Sequence, residues 1–276
     1  MEVGDVLRSA AEILGAVSSD DVEMGHTAII DLDLGPAATA DFVAYTRPVL
    51  TQWKLGGTTW LLAERGALER KIAVLKEAGV TIIAGGTGAE IAMTRGTWAA
   101  FVALCADLGI DRVEVAEGFL GNVAEPRAVV DVAVARGLDV QYEIGRKDLD
   151  EDRHMTVAER LDSALRWADC GVDSFVLEAR EVGTGFALFP ENGEINRGLL
   201  QALLRHFSLS QLVFEAPTRP AFCGVLTEIG PAANLANITP HDLLRVEMMR
   251  RAIHADTIHC RERWIAGASA GRGDGR

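Results

Sequence analysis

Charged and polar side chains recur at one kind of place along this chain, directly behind short apolar runs. "FVLEAREVG" (175–183) carries Glu178, Arg180 and Glu181, "VQYEIGRK" (140–147) carries Glu143, Arg146 and Lys147, and "LVFEAP" (212–217) carries Glu215. Asp31 and Asp33 close "TAIIDLD", Lys54 closes "LTQWKL", and Thr87 follows "GVTIIAGG". Glu114 and Glu117 lie in "DRVEVAEG", and Asn234 and Asn237 in "ANLANI". Carboxylates interspersed with Lys and Arg repel one another unless the set holds a cation and an anion together, and oxygen-rich surroundings favour a hard ion such as Mg2+. Singly, each residue reads equally well as a solvated strand end or a rim ion pair. As a set, they read as a site.

Something must gather these residues. β-rich runs at 27–33, 50–55, 79–86, 111–118, 138–145, 172–179, 211–217 and, more weakly, 233–238 alternate with amphipathic stretches such as "ALERKIAVLKEAG", "EPRAVVDVAVARG" and "VAERLDSALRWADCG". Apolar spacing near 3.6 and a closing Gly mark the latter as helices. Eight strands alternating with helices over about 250 residues give the rhythm of an α/β TIM (β/α)8 barrel, in which every strand's carboxyl end opens onto one mouth. A doubly wound open sheet has the same periodicity and stays open as the rival. No linker or composition shift divides the chain. We read 1–260 as one barrel domain with an extra N-terminal helix, and the Gly/Arg-rich 261–276 as a disordered tail.

Composition narrows the partners. Of 276 residues, 49% are hydrophobic and 24% charged; 27 Lys and Arg against 40 Asp and Glu give a net charge of -13. That balance argues against nucleic acid and anionic membrane surfaces and leaves small anions as partners. The four cysteines form no CxxC pair and suit a reducing compartment. The acidic N-terminus lacks the basic start of a signal peptide, and no apolar run approaches a membrane span, so a soluble, cytoplasmic protein is expected. Histidine spacing offers no zinc site, and no GxSxG elbow supports a serine hydrolase. "AGGTG" (84–88) is a weak phosphate-turn signal ahead of a helix.

Taken in order, "WKLGGTT", "IIAGGTGAEIA", "VEVAEGFL", "YEIGRK", "FVLEAREVGTG", "LVFEAP" and "GPAANLANITPHDLLRVEMMRRAIHADT" resemble phosphosulfolactate synthase, which adds sulfite to phosphoenolpyruvate. The resemblance implies a TIM barrel, Mg2+ dependence and a homo-oligomer. It implies Lys147 as the proton donor, with Glu178 and Arg180 beside it in the catalytic set. Asp31, Glu143 and Glu215 become candidates to hold the metal. Lys54, Arg146, Thr87, Asn234 and Asn237 become candidates to bind substrate.

The edges depart from the family's pattern. Leu32 and Asp33 stand where a "DKG"-like motif carries Lys, and Gly56–Thr59 replace a "GWGT"-like loop. Ala116-Glu117-Gly118 replaces "SDG", and Thr218–Phe222 replaces paired glutamines. Phosphoenolpyruvate handling is therefore better supported than sulfite as the second substrate. A related enzyme using another nucleophile and a non-catalytic, stress-associated relative remain as alternatives.

Overall fold

The computed structural model describes residues 5–118, 125–180, 185–186, 188–189 and 195–271. Glu181 lies outside them. Eight parallel strands run β1 (Thr27–Asp31), β2 (Gln52–Leu55), β3 (Thr81–Ala84), β4 (Arg112–Ala116), β5 (Asp139–Ile144), β6 (Phe175–Leu177), β7 (Leu212–Glu215) and β8 (Asn234–Ile238). Each pairs with its sequence neighbours and β8 returns to β1, closing the barrel. All eight fall within the apolar runs read from the sequence, and closure removes the open-sheet rival. The helices are α1 (Asp5–Leu14), α2 (Pro36–Thr46), α3 (Arg65–Glu77), α4 (Gly86–Thr94), α5 (Trp98–Leu108), α6 (Pro126–Val134), α7 (Leu149–His154), α8 (Val157–Ala168), α9 (Arg197–Leu204), α10 (Arg219–Ile229), α11 (Leu243–Arg250) and α12 (Arg261–Gly271).

Local chemistry sets the helix starts. Pro occupies the first turn of α2, α6 and α10, where its missing N–H costs nothing. Asp148 accepts the N–H groups of Asp150 and Glu151 to open α7, and Thr156 with Glu159 forms a reciprocal capping box on α8.

Strand alternation divides the side chains into two layers. Trp53, Leu55, Val113, Val115, Tyr142, Ile144, Phe175 and Phe214 face outward into the large core beneath the helices. Inside the barrel, Ala28, Val176, Val213 and Ala236 form a small apolar plug. Lys54, Glu114, Glu143, Glu178 and Glu215 are buried above it, toward the carboxyl ends. At the opposite end, the fully buried Arg250 donates to the carbonyls of Pro231 and Ala233 (both 2.6 Å), to His26 O (3.3 Å) and to Thr27 Oγ1 (3.0 Å), with Glu247 as its ion-pair partner. It thus stitches β1, β8 and α11 together.

The expectation of a disordered tail over 261–276 is not met by 261–271, and 272–276 lie outside the described residues. Arg261–Gly271 is helical, and Trp264 is buried against Val17, Val22, Ala252 and Cys260. A single large apolar side chain anchors a segment whose Gly/Arg content argued for disorder.

Candidate active site

The barrel mouth holds a cavity of about 460 Å³. Its chemistry is set by the buried Lys54 and the partly buried Lys147 among four buried glutamates. Lys54 Nζ, from β2, lies 2.7 Å from Glu114 Oε1 and 3.2 Å from Glu215 Oε1. Lys147 Nζ, just beyond β5, lies 2.5 Å from Glu143 Oε1 and 3.0 Å from Glu178 Oε2. Fixed donors take further oxygens: Gly86 N–H (3.0 Å) and Gln141 Nε2 (2.8 Å) donate to Glu114, and the N–H groups of Ala179 (3.0 Å) and Arg180 (3.1 Å) donate to Glu215 Oε2. Arg180 N–H also donates to Glu178 Oε1 at 2.8 Å. That turn puts Arg180 at φ +52, a left-handed conformation that only surrounding contacts stabilise in a non-glycine residue.

Charge in so small a space is redistributed. Burial, then repulsion from Glu143 and Glu215, pushes the Glu178 carboxyl well above the usual range, against the pull of Lys147. Burial works on Glu143 in the same direction, yet Lys147, a hydrogen bond from Glu178 and Lys54 outweigh it and hold Glu143 far down. The two shifts run in opposite directions, so a proton shared by the pair favours Glu178 over Glu143. Burial also drives Glu114 up, with Lys54 opposing. Both lysines are raised: burial lowers an ammonium's pKa, but the surrounding carboxylates overcome it.

Most of the residues picked from the sequence meet here. Lys54, Thr87, Glu143, Lys147, Glu178, Arg180, Glu215 and Asn237 all line the cavity. Three do not. Asp31 follows Ile30, which faces the mouth, so the pleat turns Asp31 outward. Its carboxylate takes Trp53 Nε1 (3.0 Å), the ammonium of Lys71 and the N–H groups of Asp33 (3.1 Å) and Leu34 (2.9 Å). It is thus engaged outside the cavity, apart from the other metal candidates Glu143 and Glu215. Asn234 opens β8 and so sits at the far end of the barrel, where Nδ2 donates to Ser210 O (3.1 Å) and Leu212 O (3.0 Å) and Oδ1 accepts from His26 N–H (3.1 Å). It cannot touch a ligand in the mouth. Arg146 is not among the cavity's lining residues; its guanidinium donates to Glu117 O and its N–H to Asp152 Oδ1 at 2.9 Å. In this position it acts as a strut for the corner after β4.

Glu114 was visible as a strand residue but had no role assigned, and Gln141 was not singled out. A glutamate inside the apolar alternation of "RVEVA" was the signal for Glu114: a buried carboxylate needs a partner, and Lys54 supplies it. The "AGGTG" turn does start a helix, α4, with Thr87 at the mouth. Its Gly86 N–H is engaged by Glu114 instead of facing open space.

The glutamates supply hard oxygen donors and outnumber the lysines here, and Asn237 Oδ1 is a buried acceptor with no donor among the described residues. The donor set therefore fits a hard divalent cation in chemistry and charge, although among the described residues no three acids, histidines or cysteines form a ready-made metal cage.

Residues 17–256 match the family described as (2R)-phospho-3-sulfolactate synthase, ComA. The chain belongs to the phosphosulfolactate synthase family. It is 28% identical over 239 residues to phosphosulfolactate synthase of Methanocaldococcus jannaschii, covering 86% of this chain and 95% of that one. To the Bacillus subtilis phosphosulfolactate synthase it is 28% identical over 236 residues, covering 85% and 92%. Phosphosulfolactate synthases are enzymes, so the clustered charges belong to a catalytic lineage. Among solved structures, 3-hexulose-6-phosphate synthase from Salmonella typhimurium superposes with a TM-score of 0.55 at 12% identity, over 83% of this chain and 100% of that one. That likeness concerns the barrel alone.

Proposed function

We propose that the protein catalyses addition of sulfite to phosphoenolpyruvate, giving phosphosulfolactate. The carrying observation is Lys147 Nζ, held between Glu143 and Glu178 at the mouth of the barrel. In this reaction sulfite sulfur bonds to the methylene carbon, the alkene electron pair moves toward the carboxylate to give an enediolate, and a proton then returns to the neighbouring carbon. Lys147 is the donor in our reading. Its 3.0 Å contact with Glu178, whose carboxyl is shifted upward, offers a route by which the ammonium is restored. Lys54 and Arg180 bind the phosphate and carboxylate, Arg180 through its planar fork, and Thr87 and Asn237 complete the contacts. Glu143 and Glu215, with the unpartnered Asn237 Oδ1, would hold Mg2+. Bound there, the ion would stabilise the charge that collects on the substrate carboxylate. On this reading the enzyme works in the cytoplasm as a homo-oligomer; among the described residues no helix is long and apolar enough to cross a membrane.

A second reading keeps the phosphoenolpyruvate half and changes the nucleophile. Leu32, where the family pattern has Lys, lines the same cavity and favours it. A non-catalytic relative fits poorly, since charges this deeply buried are costly to maintain without use. The enol absorbance of phosphoenolpyruvate separates the readings. Loss only with sulfite and Mg2+ supports the first, loss with another nucleophile the second, and no loss with any nucleophile overturns both.

A further inference from the structure

Lys147 is held from behind as well as in front. Its N–H donates to Gly118 O at 2.7 Å, and the guanidinium of the preceding Arg146 donates to Glu117 O. Both acceptors belong to one corner, the two residues that follow β4. The corner is itself pinned by the Glu117 side chain, which is buried behind the strands. Glu117 Oε2 accepts from Arg166 Nη2 at 2.8 Å and from Tyr142 Oη at 3.2 Å. Tyr142 lies on β5, its ring stacked on Trp167 at 4.9 Å, and Arg166 and Trp167 are neighbours on α8. A chain of contacts thus runs from α8 through one carboxylate to the two carbonyls that hold the Arg146 side chain and the Lys147 backbone.

No part of Glu117 is among the cavity's lining residues, so it has no access to substrate. Its carboxylate is nevertheless buried, a costly place for a charge with only a structural strand end to terminate. We propose that Glu117 is a positioning residue for Lys147: by locking the corner after β4 to α8 and β5, it sets the backbone from which the ammonium reaches Glu143 and Glu178. The inference rests on the reading of Lys147 as the proton donor. Its geometric part, that Glu117 governs where Lys147 lies, can be tested without turnover.

The test is acetic anhydride labelling of the intact protein, with modification at Lys147 and Lys54 quantified by mass spectrometry. In wild type both amines are held in ion pairs, Lys54 buried and Lys147 partly buried, and react slowly. Glu117→Ala is expected to raise Lys147 labelling at least about tenfold while Lys54 stays protected, since local opening exposes only the released segment. Glu117→Gln keeps an acceptor oxygen for Tyr142 and Arg166 and is expected to restore slow labelling. Arg166→Ala, on a partly exposed helix face, serves as the second variant in case Glu117→Ala unfolds, and is expected to raise Lys147 labelling several-fold. Unchanged Lys147 labelling in these variants, or an equal rise at Lys54, overturns the proposal. With an active nucleophile, Glu117→Ala is expected to lower kcat at least about tenfold while leaving KM for phosphoenolpyruvate within about twofold, the split a misplaced proton donor produces. A wild type inactive with phosphoenolpyruvate overturns the functional reading and leaves the labelling result to decide this one.

Discussion

Lys147 Nζ and Glu178 Oε2 lie 3.0 Å apart although 31 positions separate the residues in sequence. The contact exists because β5 and β6 are neighbours whose carboxyl ends face one mouth. Lys147→Ala removes the proton donor of the proposed reaction and leaves the barrel itself untouched. Consumption of the enol absorbance is expected to stop while circular dichroism stays native. Loss of the ammonium from its carboxylates lowers stability by about 3 kcal/mol, measured by urea unfolding. Full turnover in this variant removes Lys147 from the mechanism.

Lys54 and Lys147 make alkaline stability a readout of the site. Both are raised above the ordinary 10.5, so the folded state keeps protons that the unfolded chain gives up. Their contribution is complete below that ordinary value and disappears as pH climbs through the folded values. Urea midpoints taken between pH ~9 and ~11.5 are expected to fall steeply in wild type and more shallowly in Lys54→Met. Parallel curves would show that Lys54 gains nothing from its carboxylates on folding.

Gly118 owes its identity to Lys147. A Cβ there would stand 2.6 Å from Lys147 Cγ and 3.1 Å from Cε, closer than side chains approach. Gly118→Ala is expected to fold, since the displaced group is a side chain, but to lower kcat at least about tenfold with KM for phosphoenolpyruvate nearly unchanged. Steady-state kinetics on both substrates read the split; a risen KM with kcat intact contradicts it.

Arg180 offers a planar fork beside the mouth, with one arm already on Lys147 O at 3.1 Å. Lysine carries the charge without the fork. Arg180→Lys is expected to raise KM about tenfold, equivalent to about 1.4 kcal/mol of binding, with a smaller change in kcat. An unchanged KM would place the substrate's anionic groups elsewhere.

The Mg2+ proposal has a spectroscopic test. Mn2+ is expected to bind wild type with a paramagnetic resonance signal of immobilised ion, and about tenfold more weakly in Glu215→Gln, which loses a charged hard donor. Chelation is expected to stop turnover and Mg2+ to restore it. Equal Mn2+ affinity in the two proteins would take Glu215 out of the ion's shell.

The barrel was legible because each of its eight strands is a β-rich run bounded by turn residues, and that rhythm survives without any tertiary information. Strand ends were read long: 27–33 closes at Asp31, whose own carboxylate catches the N–H groups of Asp33 and Leu34 and turns the chain. The lysines and glutamates of the mouth could be picked because they close the strands. Their neighbours show what strand position omits. Asp31 and Ile30 differ by one step of the pleat, which decides between the helix layer and the mouth. Asn234 and Asn237 share "ANLANI", but one begins β8 and the other nears its end. Arg146 and Lys147 are adjacent and diverge, one propping the β4 corner and one entering the cavity. Trp264 holds α12 through a contact that local composition cannot announce.

Arg250 also bears on how the molecule comes into being. Its guanidinium grips carbonyls at the start of the first strand and ahead of the last. A nascent polypeptide that stops short of Arg250 therefore has every mouth residue already synthesised but no clasp to seal the ring. Sealing of the charged pocket therefore waits on a residue that follows all of its own in sequence, and Arg250→Ala should leave a seam at which the cylinder gapes.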